Sequence, residues 1–452
     1  MKKIEKRAIM CLLIAAVLVL GVGLFSYRYV ADGKDWAMFS GNKTVHTNGK
    51  LDRGSVYDIN GKKILNNAGG KMDFSDNLST RKALVHLSGD KAGNITTGAN
   101  NIFADKLMGY NLISGTYSAN DKGRKVNLTV DADVCTTANN ALYGRSGTVG
   151  VYNYKTGEII CAVSSPNYDP SNPPTISSDD KSGIYMNRLF SARFSPGSIF
   201  KLVTAAASIE TKSDYSSWKY NCTGRLSFNS ADRVTCPSAH GTVDLEEALA
   251  VSCNCYFGQL SQELGPKVLK KYTKKTGLTT SQDINGISTA KGKFAFPDSG
   301  INLAWAGIGQ HNDLLNPSTM MIYMGAIANG GKAVLPKIIH NTTFDNGIPA
   351  SFSLIKKKSK QMIEETTATT LQKMMRNNVE ENYGTDNFPG LNICAKSGTA
   401  EVGGNKAPNS WFSGFINDEN NPYAFIVLVE NGGSGKSVAG SIANTVLQEV
   451  VD

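Results

Sequence analysis

The sequence predicts an α+β fold: an antiparallel sheet flanked by helices, a helical subdomain set into it, a small N-terminal domain and one membrane-crossing helix. Three observations predict it. Residues 394–402, 410–416 and 423–429 are successive strand-like runs separated by turn residues, the pattern of an antiparallel meander. Beyond them Ile442, Val446, Leu447, Val450 and Val451 form one apolar face of a terminal helix that can cover such a sheet. The middle of the chain reads as helices instead, and its 452 residues suffice for two or three domains with substantial cores.

Taken from the N-terminus, residues 8–27 are twenty consecutive uncharged positions, long enough to cross a bilayer as a helix. Lys2, Lys3, Lys6 and Arg7 hold the preceding end in the cytoplasm. The exit Gly-Leu-Phe-Ser-Tyr-Arg lacks the small residues of a cleavage site, so a retained anchor is expected, with everything from Arg28 onward outside. Residues 28 to about 50 are polar and Gly/Asn-rich, a stalk or loop. Residues 53–65 read as strand, Asn60-Gly61 turn, strand. Residues 126–131 are a further short strand, leading into a helical stretch through Ala138 and Ala141.

Residues 147–163 carry a strong hairpin pattern around a turn that contains Lys155-Thr156-Gly157. Residues 193–210 are the helix on which the chemistry turns. Ser195 suits its N-cap, Pro196 its first position, and the apolar run past Phe200 buries it. After the polar, irregular residues 211–240, Asp244 and Glu247 make a capping box for a short helix that delivers Ser252 and Asn254 at its far end. A second apolar helix follows and ends at Gly265. Residues 302–331 include Gly309-Gln310, Asn316-Pro317 and an apolar helix whose Met321 and Met324 read as core packing.

Of the net charge of +9, the first seven residues supply +3, which leaves +6 on the rest. That mild excess suits work beside an anionic membrane or wall polymer, equally a solvated surface, and does not single out nucleic acid. Among eight cysteines, Cys11 lies in the span and Cys135, Cys161 and Cys394 sit in apolar context as small hydrophobes. Cys222 and Cys236 bracket a polar loop, where a disulfide and two free thiols are equal readings. Cys253 and Cys255 are too close to bridge comfortably. With five histidines and no Cys-x-x-Cys, neither a metal site nor a cofactor is expected.

Ser198 and Lys201 fall three apart in the first turn of their helix, so hydroxyl and amine share a face. A buried lysine loses its proton readily, and a neutral amine beside a serine can take the hydroxyl proton. The free N–H groups of that turn favour the oxyanion that follows attack. Alone, the pair equally describes a capping serine and a snorkelling lysine. Two further segments change that reading: Ser252-Cys253-Asn254, and Lys396-Ser397-Gly398-Thr399 opening the C-terminal strands. Ser-x-x-Lys, Ser-x-Asn and Lys-Ser-Gly in this order are the signature of the penicillin-recognising serine acyl-transferases. Lys155-Thr156-Gly157 is set aside, since it precedes the serine helix and occupies a hairpin turn.

With these motifs, the hairpin at Arg53-Gly54, His240-Gly241, Gly309-Gln310, Asn316-Pro317 and Trp411-Phe412-Ser413-Gly414, the chain resembles a class B penicillin-binding protein, a membrane-anchored peptidoglycan D,D-transpeptidase. The resemblance implies a tail at 1–7, a signal anchor at 8–27, a reduced, dimerisation-like pedestal at 28–145 and a penicillin-binding transpeptidase domain at 146–452. It implies Ser198 as nucleophile, Lys201 as its base, Ser252 as proton relay, Asn254 on the peptide amide and Lys396 as positive field. Ser397 and Thr399, around Gly398, bind the substrate carboxylate, and the N–H groups of Ser198 and Thr399 form the oxyanion hole. Peptidoglycan stem peptides are the implied substrate, β-lactams covalent inhibitors, and a SEDS-type glycosyltransferase the implied partner. D,D-Carboxypeptidase, β-lactamase and a non-enzymatic penicillin sensor or scaffold are the alternatives.

Overall fold

The structure, a computed structural model, describes residues 2–39, 41–43, 45–110, 123–352 and 356–452; positions 40, 44 and 111–122 of the expected N-terminal domain lie outside the described residues. The N-terminal helix is longer than the apolar run that predicts it, spanning Lys2–Ala37. Residues 28–37, read from their composition as a polar stalk, continue it. Arg28 and Asp32, one turn apart and 2.9 Å between charged atoms, help to carry the helix past the apolar run. The side chains of residues 8–27 are exposed along the whole stretch, a continuous apolar surface against which none of the described residues packs to bury it.

The C-terminal meander and the hairpin of residues 147–163 are parts of one sheet. Its five antiparallel strands run in the order Ile393–Ala400, Asn409–Ile416, Tyr423–Val429, Gly147–Asn153, Ile159–Ser165. The joint is a continuous register from Tyr423 opposite Asn153 to Val429 opposite Gly147. That pairing links positions some 270 residues apart, which no local pattern reports. Nearly every position in these strands is buried, because helices cover both faces. The terminal helix Gly440–Val451 presents Ile442, Val446 and Leu447, and the helix Pro317–Ala328 lies buried with Met320, Met321 and Met324 in the core.

A second, mixed sheet crosses the boundary expected at residue 145. Its order is Pro349–Phe352, Ile339–Thr343, Lys125–Leu128, Ser55–Tyr57, Lys63–Ala68, Lys71–Phe74. Four strands come from the N-terminal region and two from the C-terminal one. The central pair, Ser55–Tyr57 with Lys125–Leu128, is parallel. The Arg53–Leu65 hairpin motif thus sits at the heart of this sheet, and Asp58 ties its turn to the helix Ala132–Leu142 through the Ala132 N–H at 3.1 Å.

One side chain fixes the approach to the serine helix. Asn316 caps the helix Pro317–Ala328 by accepting the Thr319 N–H at 3.3 Å. Its amide nitrogen donates to the carbonyls of Leu189, Phe190 and Ala192 at 3.2, 3.0 and 2.8 Å. Asn316 is fully buried, so removing it strands the Thr319 N–H and the Ala192 carbonyl away from water, while the Leu189 and Phe190 carbonyls keep the N–H groups of Ser318 and Ala290. Asn316→Ala is expected to destabilise the protein by about 1–3 kcal/mol, read as a thermal unfolding midpoint lowered by several degrees; an unchanged midpoint would show that this clamp carries no stability.

Candidate active site

The turn carrying Ser198 is not built as its sequence suggests. Ser195 does not cap an amide; its hydroxyl donates to the Gly309 carbonyl at 3.3 Å. The segment enters as a 3-10 turn, Gly197–Phe200, and becomes an α-helix only at Lys201–Thr211. The reason is Gly197, which has φ +55 and donates its N–H to the Gly309 carbonyl at 2.8 Å. A Cβ there would stand 2.8 Å from the Thr399 carbonyl oxygen. The serine turn and the edge strand Ile393–Ala400 therefore meet backbone to backbone, and Gly398 repeats the requirement from the other side, with the Pro196 carbonyl 3.1 Å from a Cβ. Trp411, fully buried, locks the turn by donating its indole N–H to the Ser195 carbonyl at 2.9 Å.

Four of the expected residues form one hydrogen-bonded cluster. Lys201 Nζ lies 2.7 Å from the Ser252 carbonyl, 3.1 Å from Ser252 Oγ and 2.7 Å from Asn254 Oδ1. Lys396 Nζ reaches the same Ser252 Oγ at 3.1 Å and the Ser397 carbonyl at 3.1 Å. Ser252 sits in the left-handed region at φ +54, at the break between the helices Leu245–Ala250 and Asn254–Lys275, which turns its hydroxyl and carbonyl toward the amines. The capping box Asp244/Glu247 starts the first of those helices, and the second bends at Gly265. Both lysines are completely buried. Burial, joined by the positive charge of Lys396, lowers the pKa of Lys201 to about 7. Burial alone does the same for Lys396, also to about 7.

Ser198 and Thr399 line the same cleft of about 490 Å³ with Ser252, Asn254 and Ser397. Among the described residues the Ser198 hydroxyl has no hydrogen-bond partner, and the three acceptors on Lys201 Nζ belong to Ser252 and Asn254. Lys155-Thr156-Gly157 occupies a hairpin turn outside the cleft, with Lys155 bonded to Asn329 at 3.0 Å.

Three contributors carry no local signal. Tyr383 is buried behind the edge strand and accepts the Ser397 N–H at 2.9 Å, with the Ser397 hydroxyl 3.1 Å away. The Thr235 carbonyl accepts the Asn254 amide at 2.9 Å and so orients its oxygen toward Lys201. The Phe257 ring lies under Lys201 Nζ at 5.6 Å. The structure also places the cysteines. Cys222 and Cys236 are not bridged, their sulfurs standing 3.9 Å apart. Cys253 stands within a group with Cys222, Cys236 and His240, because the polar loop folds back over the start of the helix Asn254–Lys275.

With this geometry in hand, comparison with known proteins gives a consistent result. Residues 147–448 match the family model described as the penicillin binding protein transpeptidase domain. The chain is similar to peptidoglycan D,D-transpeptidase PbpA of Mycolicibacterium smegmatis, 26% identical over 370 residues that cover 74% of this chain and 73% of the relative. It is 28% identical to penicillin-binding protein 3 of Bacillus subtilis over 368 residues, 74% of this chain and 53% of that one. Among solved structures, penicillin-binding protein A from M. tuberculosis in its penicillin G acyl-enzyme complex superposes with a TM-score of 0.76 at 22% identity, covering 89% of this chain and all of the other, which is a likeness of fold.

Proposed function

The chain belongs to the penicillin-binding protein transpeptidase family, as a class B member, and from that premise we propose that it is a peptidoglycan D,D-transpeptidase working through an acyl-enzyme on Ser198. The observation that carries the reading is Ser252 Oγ held 3.1 Å from each of two buried amines, in the cleft that Ser198 lines. Such an arrangement keeps one amine neutral and the other charged near neutral pH, a base and a positive field side by side.

In the proposed reaction Ser198 Oγ attacks the carbonyl of the penultimate D-alanine of a stem peptide, and its proton passes to neutral Lys201. The transfer requires Ser198 Oγ to come within hydrogen-bond reach of Nζ in the acylating complex. The oxyanion is held by the N–H groups of Ser198 and Thr399. Collapse breaks the C–N bond, and Ser252 passes a proton to the departing D-alanine amine. Asn254 holds the peptide amide, Lys396 adds positive field near the terminal carboxylate, and Ser397 and Thr399 bind that carboxylate along Gly398. An amine from a second strand then attacks the ester, which restores Ser198 and leaves the cross-link. β-Lactams enter as covalent inhibitors at the same serine. Closeness of the Thr399 backbone to the serine turn supports the oxyanion assignment, since the two are separated only by glycine-width gaps.

We further propose that the helix Lys2–Ala37 is a retained single-pass anchor through residues 8–27, with 1–7 cytoplasmic, a pedestal over 28–145 and the domain of 146–452 outside the membrane. Its exposed apolar surface supports this, as does the basic cluster before it. A SEDS-type glycosyltransferase is the proposed partner, docked through the span and pedestal.

Three outcomes follow. Ser198→Ala is expected to abolish covalent labelling by a fluorescent penicillin and cross-linking of a donor peptide to an amine acceptor; labelling that persists in this variant sinks the assignment. The rate of labelling is expected to rise with pH through about 7, where Lys201 becomes neutral. Below that it falls about tenfold per pH unit, and a profile flat from about pH 5.5 to 8 removes Lys201 as base. Co-purification of the full chain with a SEDS-type glycosyltransferase is expected to weaken when residues 8–27 are exchanged for an unrelated span, and an unweakened yield rules out docking through the membrane.

A further inference from the structure

A cross-link joins two peptides, and on the transpeptidase reading the donor occupies the cleft of about 490 Å³ that Ser198 lines. The amine of the second peptide needs its own way in. A larger cavity, of about 920 Å³, opens next to that cleft. Glu401 lines both, and the two adjoin again where Gln310 of the cleft is followed in the chain by His311 of the cavity. Ser195, on the turn that carries the nucleophile, forms part of the cavity wall.

Main-chain bonds lace its walls together. Phe194 and Leu315 exchange N–H to carbonyl bonds of 2.9 and 2.7 Å, and Lys293 and Leu314 do the same at 2.8 and 2.7 Å, so the segments carrying Arg193, Lys293 and Asp313 lie side by side. The charge on these walls is one-sided. Arg193, Lys293 and Lys406 are exposed, and among the described residues their side chains meet no acidic partner. Of the acids that line the same cavity, Glu430 is already paired with Arg188 at 2.6 Å. Asp313 is buried in the floor, 1% exposed; one oxygen accepts the Ala295 N–H at 3.2 Å, and the other has no partner among the described residues. Burial pushes its pKa up to about 8, so near neutral pH it keeps its proton and adds a donor instead of a negative charge. That leaves Glu401, which has no ion-pair partner among the described residues and stands at the border with the cleft. Unpaired cations gathered in a concave wall draw anions.

We propose that this cavity receives the acceptor peptide of the cross-linking reaction, with its carboxylates against Arg193, Lys293 and Lys406 and its amine led past Glu401 to the acyl ester on Ser198. The inference rests on the transpeptidase reading and adds to it the place of the second substrate. A peptide acceptor with a free C-terminus carries a carboxylate as well as an amine, which is the pairing these walls match. Arg193 offers a carboxylate a two-pronged fork, and the two lysines add point charges. The Glu401 carboxylate accepts a hydrogen bond from the approaching amine. Having released its extra proton to solvent, the neutral amine forms the new C–N bond at the ester carbonyl and the bond from that carbon to Ser198 Oγ breaks. The proton the amine then sheds reaches Ser198 Oγ by way of neutral Lys201. Water attacking the same ester gives hydrolysis, so an anchored amine decides between cross-link and loss of the donor.

The test offers the full-length chain in detergent an N-acyl-D-alanyl thioester donor and one of two acceptors. One is an N-acetylated peptide of D-glutamate, L-lysine and D-alanine with both carboxylates free; the other is the same peptide with both amidated. The readout is the ratio of amide product to hydrolysed donor, which does not depend on how fast Ser198 is acylated. The wild type is expected to favour the free acid over the diamide by about tenfold or more. Arg193→Gln and Lys293→Gln should each cut that advantage by about fivefold, and Glu401→Gln should lower the ratio for both peptides. Lys155→Gln, which removes a cation from the hairpin turn outside the cleft, is expected to change neither ratio. Equal ratios for the two peptides on the wild-type chain overturn the site, and so does an equal loss in Lys155→Gln and Lys293→Gln, the mark of a diffuse charge effect. The wild-type comparison decides the matter even where a variant does not fold. An acyl-enzyme that forms but passes to water alone with either peptide removes the acceptor site and leaves acylation standing. No acyl-enzyme at all removes the transpeptidase reading and the acceptor site with it.

Discussion

Two buried amines sharing one hydroxyl is the constraint around which the molecule is arranged. Lys201 and Lys396 each lie 3.1 Å from Ser252 Oγ, so their nitrogens are at most about 6 Å apart. Two full positive charges at that distance repel by about 3 kcal/mol at an effective dielectric of about 20, before any cost of removing them from water. Burial alone lowers Lys396 to about 7, and burial joined by the charge of Lys396 lowers Lys201 to about 7, so the pair gives up a proton near neutrality. A protein that keeps such a pair must hold it rigidly, since relaxation of either chain toward solvent removes the perturbation. The groups of the cluster accordingly come from three firmly packed elements: the serine helix, the helix break that carries Ser252 and Asn254, and a buried strand.

That rigidity is carried by backbone contact. The serine turn lies so close to the edge strand that Gly197 and Gly398 have no room for a side chain, and Gly309 comes as near on a third side, its Cβ position 2.2 Å from the Gly197 carbonyl oxygen. Glycines in these positions cost conformational entropy on folding, yet they allow main-chain dipoles of two elements to share one small volume. An oxyanion site assembled from main-chain N–H groups needs that proximity, because no side chain can be substituted for it by a longer one.

How much of this was legible in the sequence follows from the range of the interactions. Local signals read well: the hairpin of residues 147–163, the capping box at Asp244 and Glu247, the apolar face of the terminal helix, and the Asn316-Pro317 helix start all depend on neighbours within a few positions. The three motifs were legible as a set only through their order and family resemblance. What failed was either non-local or a competition between two local preferences. Fusion of hairpin and meander into one sheet, the two C-terminal strands lent to the N-terminal sheet, and the hydrogen bond from Ser397 to Tyr383 join distant segments. At Ser195 a good capping residue was overruled by the positive φ of Gly197, and past Arg28 a polar composition was overruled by helix continuation. The cysteines combine both difficulties, since spacings of 14 and 17 residues look like nothing until the loop doubles back.

A segment with little apolar burial thus stands beside the strained turn of the site. Ser252 is a non-glycine residue at φ +54, a conformation that costs about 1–2 kcal/mol and must be imposed by its surroundings. Part of that imposition is local: the Cys253 N–H reaches back to the Ala248 carbonyl at 2.8 Å, and Cys253 Sγ caps the next helix. The rest arrives through Thr235, which turns the Asn254 amide and with it the acceptor that Lys201 meets at 2.7 Å. A slack loop would let Thr235 move, free Asn254 to rotate, and leave a buried amine without one of its three partners, a loss comparable in size to the whole cost of the strained turn. The order of the loop is therefore not separable from the charge state of the lysine, and whatever fastens the one sets the other.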